Sequence, residues 1–427
     1  MKAFLTRPKR KASPPPQPEP EEPTEVKLAL LSSLHPTFEQ EDLLDILLAH
    51  DGSVSEASAS LKVRPQVKKG NRVIGYQQSL KQYASPSSSS SLATTSPVKK
   101  KLKSKRGSTL HLYDPEDVAE HTPCTIIHNF LPADDANDLL KELLEEAKSF
   151  EKATFQLFEN VVSSPHTSSF YVESYDEIRR QKTDYHYNGA RLTDVRRITP
   201  QLLKVKPKVE EAVNAEIQRR IRIRYPGGKK LKYQPPKAWV PNSAIVNSYR
   251  GPQESVGWHS DHLTYLGPRA VIGSISLGVA REFRVRRIIP KDNDKKPVED
   301  ADAEGQISIH LPHNSLLVMH AEMQEEWKHC ISPALSIDPH PISGVSRINI
   351  TYRDYRENMH PRHTPKCPCG VPCVLRVVTK KKENFGKYFW MCYAGNVPGK
   401  DSCGFFQWAE FDDDGNPLFK KIDTKNS

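Results

Sequence analysis

The chain of 427 residues has no run of about 18 apolar residues, the length a helix needs to cross a membrane. Its first ten residues, Met-Lys-Ala-Phe-Leu-Thr-Arg-Pro-Lys-Arg, also lack the apolar core of a signal peptide. A soluble, intracellular protein with no membrane partner is expected. Cysteine is nearly missing before residue 367. Only Cys124 and Cys330 occur there, which excludes a disulfide framework over most of the chain and leaves both as buried structural thiols. Hydrophobic residues are few, at 37%, against 35 prolines, so the chain cannot be packed throughout and one large core flanked by linkers is expected. Acidic residues fall short of basic ones, leaving a net charge of +10 that favours a polyanionic partner, nucleic acid first.

Residues 1–24 are rich in proline and charge and are read as disordered. Order begins near Val26. Across residues 25–63, apolar-periodic segments around Leu28 to Leu34, Glu39 to Ala49 and Ser55 to Leu61 predict a three-helix bundle with Leu31, Leu43, Ile46, Leu47 and Val54 in its core. Residues 64–110 form a linker in which a serine run from Ser85 to Ser91 is followed by Lys99-Lys-Lys-Leu-Lys-Ser-Lys-Arg106. Such a basic run reads as a nuclear import signal or a phosphate-binding patch, so a nuclear location is expected. Gln77, Leu80 and Tyr83 in the same linker have the spacing of a sliding-clamp-binding box, with Ala84 standing where a second aromatic belongs.

The main domain spans residues 111–358. Leucines at 139, 140, 143 and 144 predict a helix over 133–149. Strand patterns follow at 169–172, 244–249, 271–279, 283–289, 306–311, 315–320 and 347–355. Many short strands and few helices predict a double-sheet jelly roll able to enclose a ligand. Pro290 to Gly305 reads as a mobile loop between two strands.

Two motifs carry chemistry. Residues two apart in an extended segment share a face, so His259 and Asp261 can offer an imidazole and a carboxylate to one metal ion. With His329 as a third ligand they would form the facial site of a non-haem iron(II) oxygenase. From Arg347 to Arg353, polar and apolar residues alternate. One face therefore carries Arg347, Asn349, Thr351 and Arg353. A dicarboxylate such as 2-oxoglutarate would chelate iron through its 2-oxo acid end, and its far carboxylate suits an arginine fork, assigned here to Arg353.

Together with Asn247 and Tyr249, these motifs resemble the AlkB family of Fe(II) and 2-oxoglutarate dioxygenases over roughly residues 120 to 358. The resemblance implies a double-stranded β-helix core, iron held by His259, Asp261 and His329, and 2-oxoglutarate held by Asn247, Tyr249, Arg347, Asn349 and Arg353. It also ranks His329 over His310, His313 and His320, because the family's distal histidine follows an aromatic downstream of a strand like Leu311 to Leu317. The family places a nucleotide-recognition lid between Ser164 and Pro200, so Tyr171, Tyr187, Arg191 and, just past the iron motif, His262 are the substrate-binding candidates. The implied reaction hydroxylates an N-linked methyl group of a base, giving formaldehyde, succinate and carbon dioxide.

Residues 25–63 resemble a CUE ubiquitin-binding domain in Leu34-His35-Pro36 and in the turn Gly52-Ser53-Val54. By that resemblance Leu34, Pro36 and Leu61 form an exposed surface for ubiquitin. Near the C-terminus, Cys367, Cys369, Cys392 and Cys403 have the spacing of a structural zinc site, with Cys373 spare. The stretch from Asn384 to Cys392, with Phe405 to Trp408, resembles a GRF zinc finger over residues 366–412, followed by a tail at 413–427. Aromatics interleaved with Arg376, Lys380, Lys381, Lys382 and Lys387 suit single-stranded nucleic acid. The sequence thus predicts a DNA demethylase of alkylation repair acting on single- or double-stranded DNA. In this reading a finger beyond a hinge at Pro361 to Pro365 recruits strands and the core oxidises them. An RNA demethylase of the same mechanism and a non-catalytic ubiquitin and DNA adaptor are the alternatives.

Overall fold

The computed structural model describes residues 43, 46, 47, 50, 53–62, 104, 105, 107–157, 160–187, 190–290, 304–397 and 400–418. Two units separate, Met1–Val98 and Lys99–Ser427. In the first, Ser53 starts the helix Val54–Lys62 by accepting the Glu56 amide on its hydroxyl. Leu43, Leu47, Ala57 and Leu61 are buried together, with Ile46 and Val54 against them. Leu61 is therefore a core residue and not part of an exposed ubiquitin surface. Its expected partners Leu34 and Pro36 lie outside the described residues, as do the serine run, the Gln77 to Tyr83 box and most of the Pro290 to Gly305 loop.

The second unit is built on two sheets. The smaller runs Thr109–Leu112, Gln306–Leu311, Arg281–Arg287, Trp327–Ile331, Val256–His259. The larger runs Cys124–His128, Ser315–Met319, Ile272–Gly278, Ser346–Arg353, Ser243–Arg250, Thr167–Val172, Val195–Arg197. From residue 243 onward the chain passes repeatedly from one sheet to the other, as a double-sheet roll requires. The Ser346–Arg353 strand pairs on both sides, with Ile272–Gly278 and with Ser243–Arg250. Its apolar residues Ile348, Ile350 and Tyr352 face the helices Ala133–Glu146 and Pro200–Arg224, and its polar residues face the space between the sheets. Unlike a half-solvated strand, it is buried on both faces from Arg347 to Arg353.

A jelly-roll core with flanking helices was expected, but the Pro200–Arg224 helix itself was not among the elements read from the sequence. Its buried Val205, Val209, Val213 and Ile217 recur every four residues, a helical stripe written in β-branched residues and interrupted by Pro207. It lies so close to the larger sheet that a Cβ on Gly273 would meet Val213 Cγ2 at 2.9 Å. A methyl group there would push the helix off the sheet.

The zinc-finger segment forms a third sheet, Val374–Val377, Tyr388–Met391, Phe406–Ala409. It is not hinged. Cys367, Val371, Leu375, Tyr388, Trp390 and Phe411 belong to the same apolar cluster as Leu263, Leu266 and Met359. Residues 413–418 pack back as well. The Asp413 carbonyl accepts from the Tyr233 amide at 2.9 Å, and Asn358 Nδ2 donates to Asn416 Oδ1 at 2.9 Å. The Pro361 to Pro365 segment is a compact turn with His360 and Thr364 buried.

Candidate metal and cosubstrate site

Strand pairing brings the first motif together. His259, on the edge strand Val256–His259, stands directly opposite His329 on Trp327–Ile331, beyond a register irregularity that re-aims the edge strand. Asp261 follows two residues later, its amide donating to Gln324 Oε1 at 2.7 Å. One ligand atom from each of the three side chains lies within 4.8 Å of the others. His259 Nδ1 donates to the Gly257 carbonyl at 2.8 Å, which fixes its proton there and leaves Nε2 free as a ligand. His259 Nε2 and His329 Nε2 converge on Asp261 Oδ1 at 3.5 and 3.4 Å. Burial alone would raise the Asp261 pKa, but the Arg353 charge and the two neighbouring histidines hold it well below the usual carboxylate range. Burial next to His259 pulls His329 down to about 4. Two imidazoles and one carboxylate form a donor set that fits iron(II). The side chains of Asp261 and His329 are 7% and 5% exposed and that of His259 38%, so the group opens on the His259 side.

The polar face of Ser346–Arg353 lines the same interior. Arg347 is fully buried. Its Nη2 donates to Ser276 Oγ at 2.8 Å, and its guanidinium lies 5.2 Å from the centre of the Tyr249 ring. Its Nε and Nη1 have no hydrogen-bond partner among the described residues. Asn349 Nδ2 donates to Ser274 Oγ at 2.8 Å. Asn247 stands opposite Asn349, and Tyr249 opposite Arg347, on the neighbouring strand. A buried guanidinium with two unmet nitrogens is an incomplete arrangement that a carboxylate would complete. Arg353 is already engaged, its Nη2 donating to Asp261 Oδ2 at 2.6 Å. Arg353 thus braces the metal-site carboxylate, and Arg347 keeps two unmet nitrogens where Arg353 keeps its Nε.

The remaining candidates separate. Tyr187 and His262 come together with rings 5.8 Å apart, and both line a small cavity with Tyr265, Tyr355, Arg353 and Val374. Arg191 is exposed in the hairpin that carries Tyr187. Tyr171 points the other way, into the core beneath the helices, where its hydroxyl donates to Glu146 Oε2 at 2.8 Å. It is a core residue, not a substrate contact. His320 is buried 3.1 Å from Thr125 Oγ1 and takes no part in the group. Sequence reasoning missed Ser274 and Ser276, although the pattern Ile-Gly-Ser-Ile-Ser-Leu-Gly alternates with period two. Gln324 carried no signal. In the finger, Cys367, Cys369, Cys392 and Cys403 bring their sulfurs within 4.8 Å of one another, and Cys373 stays out of the group. Among the described residues His111, Glu282 and His310 also cluster, but Glu282 Oε2 already accepts from Arg284 and Ser308.

Comparison with known proteins places these features. The chain is 33% identical over 127 residues to the alpha-ketoglutarate-dependent dioxygenase alkB homolog 3 of Mus musculus, covering 29% of this chain and 40% of that protein. It is 30% identical over 122 residues to the DNA oxidative demethylase ALKBH2 of Arabidopsis thaliana, covering 26% of this chain and 37% of that protein. It thus spans about two-fifths of the length of these curated relatives. Over 48 residues it is 44% identical to the endonuclease 8-like 3 of Bos taurus, covering 11% of this chain and 7% of that protein. A GRF zinc finger model matches residues 365–412, and with four converging cysteines the metal of that segment is zinc. A model of the 2OG-Fe(II) oxygenase superfamily matches residues 123–353, more than half of the chain, and the protein belongs to that superfamily, whose cofactors are iron(II) and 2-oxoglutarate.

Proposed function

We propose that the protein removes N-linked methyl groups from DNA bases, in direct repair of alkylation damage. The observation that carries this reading is the meeting of an iron-type ligand set with an aromatic-walled cavity: Arg353 braces Asp261 and lines the cavity together with Tyr187, His262 and Tyr355. An extruded base stacks on flat side chains, and the Tyr187 and His262 rings, 5.8 Å apart, stand beside the metal position. In this reading His259, Asp261 and His329 hold iron. Arg347 clamps the far carboxylate of 2-oxoglutarate in a space also lined by Asn247, Tyr249 and Asn349. Bound iron and 2-oxoglutarate supply the oxidising power for hydroxylating the methyl group. The protein's own residues orient the two reactants and exclude water from all sides but that of His259.

The two named demethylase and dioxygenase relatives support this substrate class, as does the net charge of +10. The exposed rings of Phe406 and Trp408, with Lys387 Nζ 5.8 Å from the Trp408 ring centre, offer a platform for single strands on the finger. The basic run Lys99 to Arg106 suits a nuclear location. A ubiquitin-binding role for the N-terminal helices and a sliding-clamp contact at Gln77, Leu80 and Tyr83 are kept as further parts of the proposal. Mass spectrometry of methylated oligonucleotides incubated with protein, iron(II), 2-oxoglutarate and air tests the reading. Loss of the methyl group from DNA and not from RNA of equal sequence is expected. Loss from RNA alone would make it an RNA demethylase, and loss from neither would leave an adaptor.

A further inference from the structure

The smaller sheet ends on Val256–His259, which among the described residues pairs on one side only, with Trp327–Ile331, and has no buried residue. A strand so placed is weakly fixed by its own ladder, yet it carries His259 and must keep that imidazole opposite His329. Two strands away in the same sheet, Arg281–Arg287 turns Arg281, Phe283 and Val285 inward. Arg281 is the charged residue of that face, and it is 3% exposed. Its Nη2 donates to the Ser332 carbonyl at 2.7 Å and the Glu254 carbonyl at 2.9 Å, with the Pro252 carbonyl at 3.2 Å, and its Nη1 donates to the Gly251 carbonyl at 3.2 Å. Three of these carbonyls belong to the loop that enters the His259 strand. The fourth, that of Ser332, comes directly after the His329 strand. The Ala334 amide on the Pro252 carbonyl and the Gly251 amide on the Val345 carbonyl fix the start of the loop, whereas Arg281 also reaches its far end at Glu254. The arrangement is costly, since a guanidinium is buried with its Nε unmatched. An apolar side chain would fill the same face without that cost, so what the arginine adds is the joining of the two segments.

We infer that Arg281 is a positioning residue for the metal site: by gathering the carbonyls of Gly251, Pro252, Glu254 and Ser332 it locks the entry of the His259 strand to the exit of the His329 strand, and so sets the spacing of the two imidazoles. A planar fork with donors in fixed directions suits this task, because each carbonyl it holds is held at a defined place relative to the others. Arg281 acts through the backbone and touches none of the reacting groups. Without it the edge strand is free to slip or fray, and His259 leaves the group while Asp261, braced by Arg353 and Gln324, and the buried His329 stay in place. The inference depends on the ligand set alone and holds for whatever substrate the protein oxidises.

The test uses the zinc-loaded full chain and manganese(II), a stand-in for iron(II) at nitrogen and oxygen ligands. Isothermal titration with manganese(II) in the presence of 2-oxoglutarate gives the metal Kd, and hydrogen exchange read by peptide mass spectrometry gives local stability, for wild type, Arg281→Met and Arg281→Lys. Arg281→Met is expected to raise the Kd about 10- to 100-fold, the range for losing a group that orients a metal ligand. It should also speed exchange over residues 251–259 while residues 346–353 exchange as in wild type. Arg281→Lys, which keeps the charge but puts three donors on a flexible stem, should fall between the two. A wild-type Kd in Arg281→Met overturns the inference. So does exchange raised equally over both segments, because that marks a general packing role only. Should Arg281→Met fail to fold, Arg281→Lys decides alone: a weaker Kd with exchange changed only at residues 251–259 upholds the inference, and any other result overturns it. None of these readouts needs turnover, so a protein that demethylates nothing sinks the demethylase reading and leaves the role of Arg281 to be decided by the metal.

Discussion

Arg347→Lys keeps a cation in the core and removes the fork. Burial pulls the Arg347 pKa down to about 10, so it remains charged at neutral pH with two nitrogens unmatched. A hydrogen bond to a charged group contributes roughly 1.5–3 kcal/mol, so losing one of a bidentate pair should raise the KM for 2-oxoglutarate about 10- to 150-fold. At saturating cosubstrate kcat should change little, because Arg347 binds the ground and transition states alike. The assay is initial rate against 2-oxoglutarate concentration on a methylated oligomer. Thermal unfolding gives a readout independent of turnover. At a hundred times its Kd, 2-oxoglutarate stabilises the wild type by about 2.7 kcal/mol, and a hundredfold weaker site would keep only about 0.4 kcal/mol of that. Arg347→Met should melt higher than wild type without ligand, since it removes an uncompensated buried charge, and should no longer respond to 2-oxoglutarate. An unchanged KM in Arg347→Lys, with the whole effect appearing in Arg353→Lys, would refute the reasoning and restore the assignment read from the sequence.

His329→Ala should abolish turnover with the fold retained, whereas His320→Ala should keep turnover and lose only stability, since His320 contacts Thr125 and not the ligand group. Circular dichroism alongside activity checks both, and the reverse pattern would move the distal ligand to His320. Tyr388→Phe should lower stability by about 1–3 kcal/mol, because it withdraws a donor from the buried Glu325, whose pKa burial already raises despite the Arg269 charge. A melting temperature equal to wild type would show that the finger's docking does not depend on this bond.

What the sequence disclosed and what it hid divide along physical lines. Alternation along Ser346–Arg353 told which residues share a face, and the strand has that pattern. It could not tell how deep along the strand each arginine sits, which depends on where the His259 edge strand and Asp261 cross it. In the same way, Phe170 and Tyr171 are neighbours on a strand and must face opposite sides. Hydropathy does not say which ring takes the helix side, and Tyr171 took it. The 25-residue helix Pro200–Arg224 was missed: Val205, Val209, Val213 and Ile217 repeat every four residues, but β-branched residues and Pro207 are poor helix formers, and packing against the sheet at Gly273 outweighs that propensity. Proline content at 361–365 signalled a restricted backbone, not a free one, and a hinge was the wrong inference from it.

That last point changes what a truncation should do. If the finger recruited strands from beyond a hinge, removing residues 366–427 would cost affinity and spare chemistry on a short oligomer. The structure argues the opposite. Removal would strip Leu375, Tyr388, Trp390 and Phe411 from the cluster that covers Leu263, Leu266 and Met359, and each buried aliphatic side chain returned to water costs about 1.5–3 kcal/mol. It would also leave Glu325 with Arg269 but without the Tyr388 hydroxyl, and open the Val374 wall of the cavity. Several such losses together rival the whole stability of a domain. The truncated protein should therefore melt far lower than the full chain and turn over even a short methylated oligomer poorly. Zinc removal by a chelator should drive the full chain the same way, in one unfolding transition and not two. A truncated chain with the full chain's melting temperature and turnover would show that the finger merely rests against the core, and the recruiting tail read from the sequence would stand.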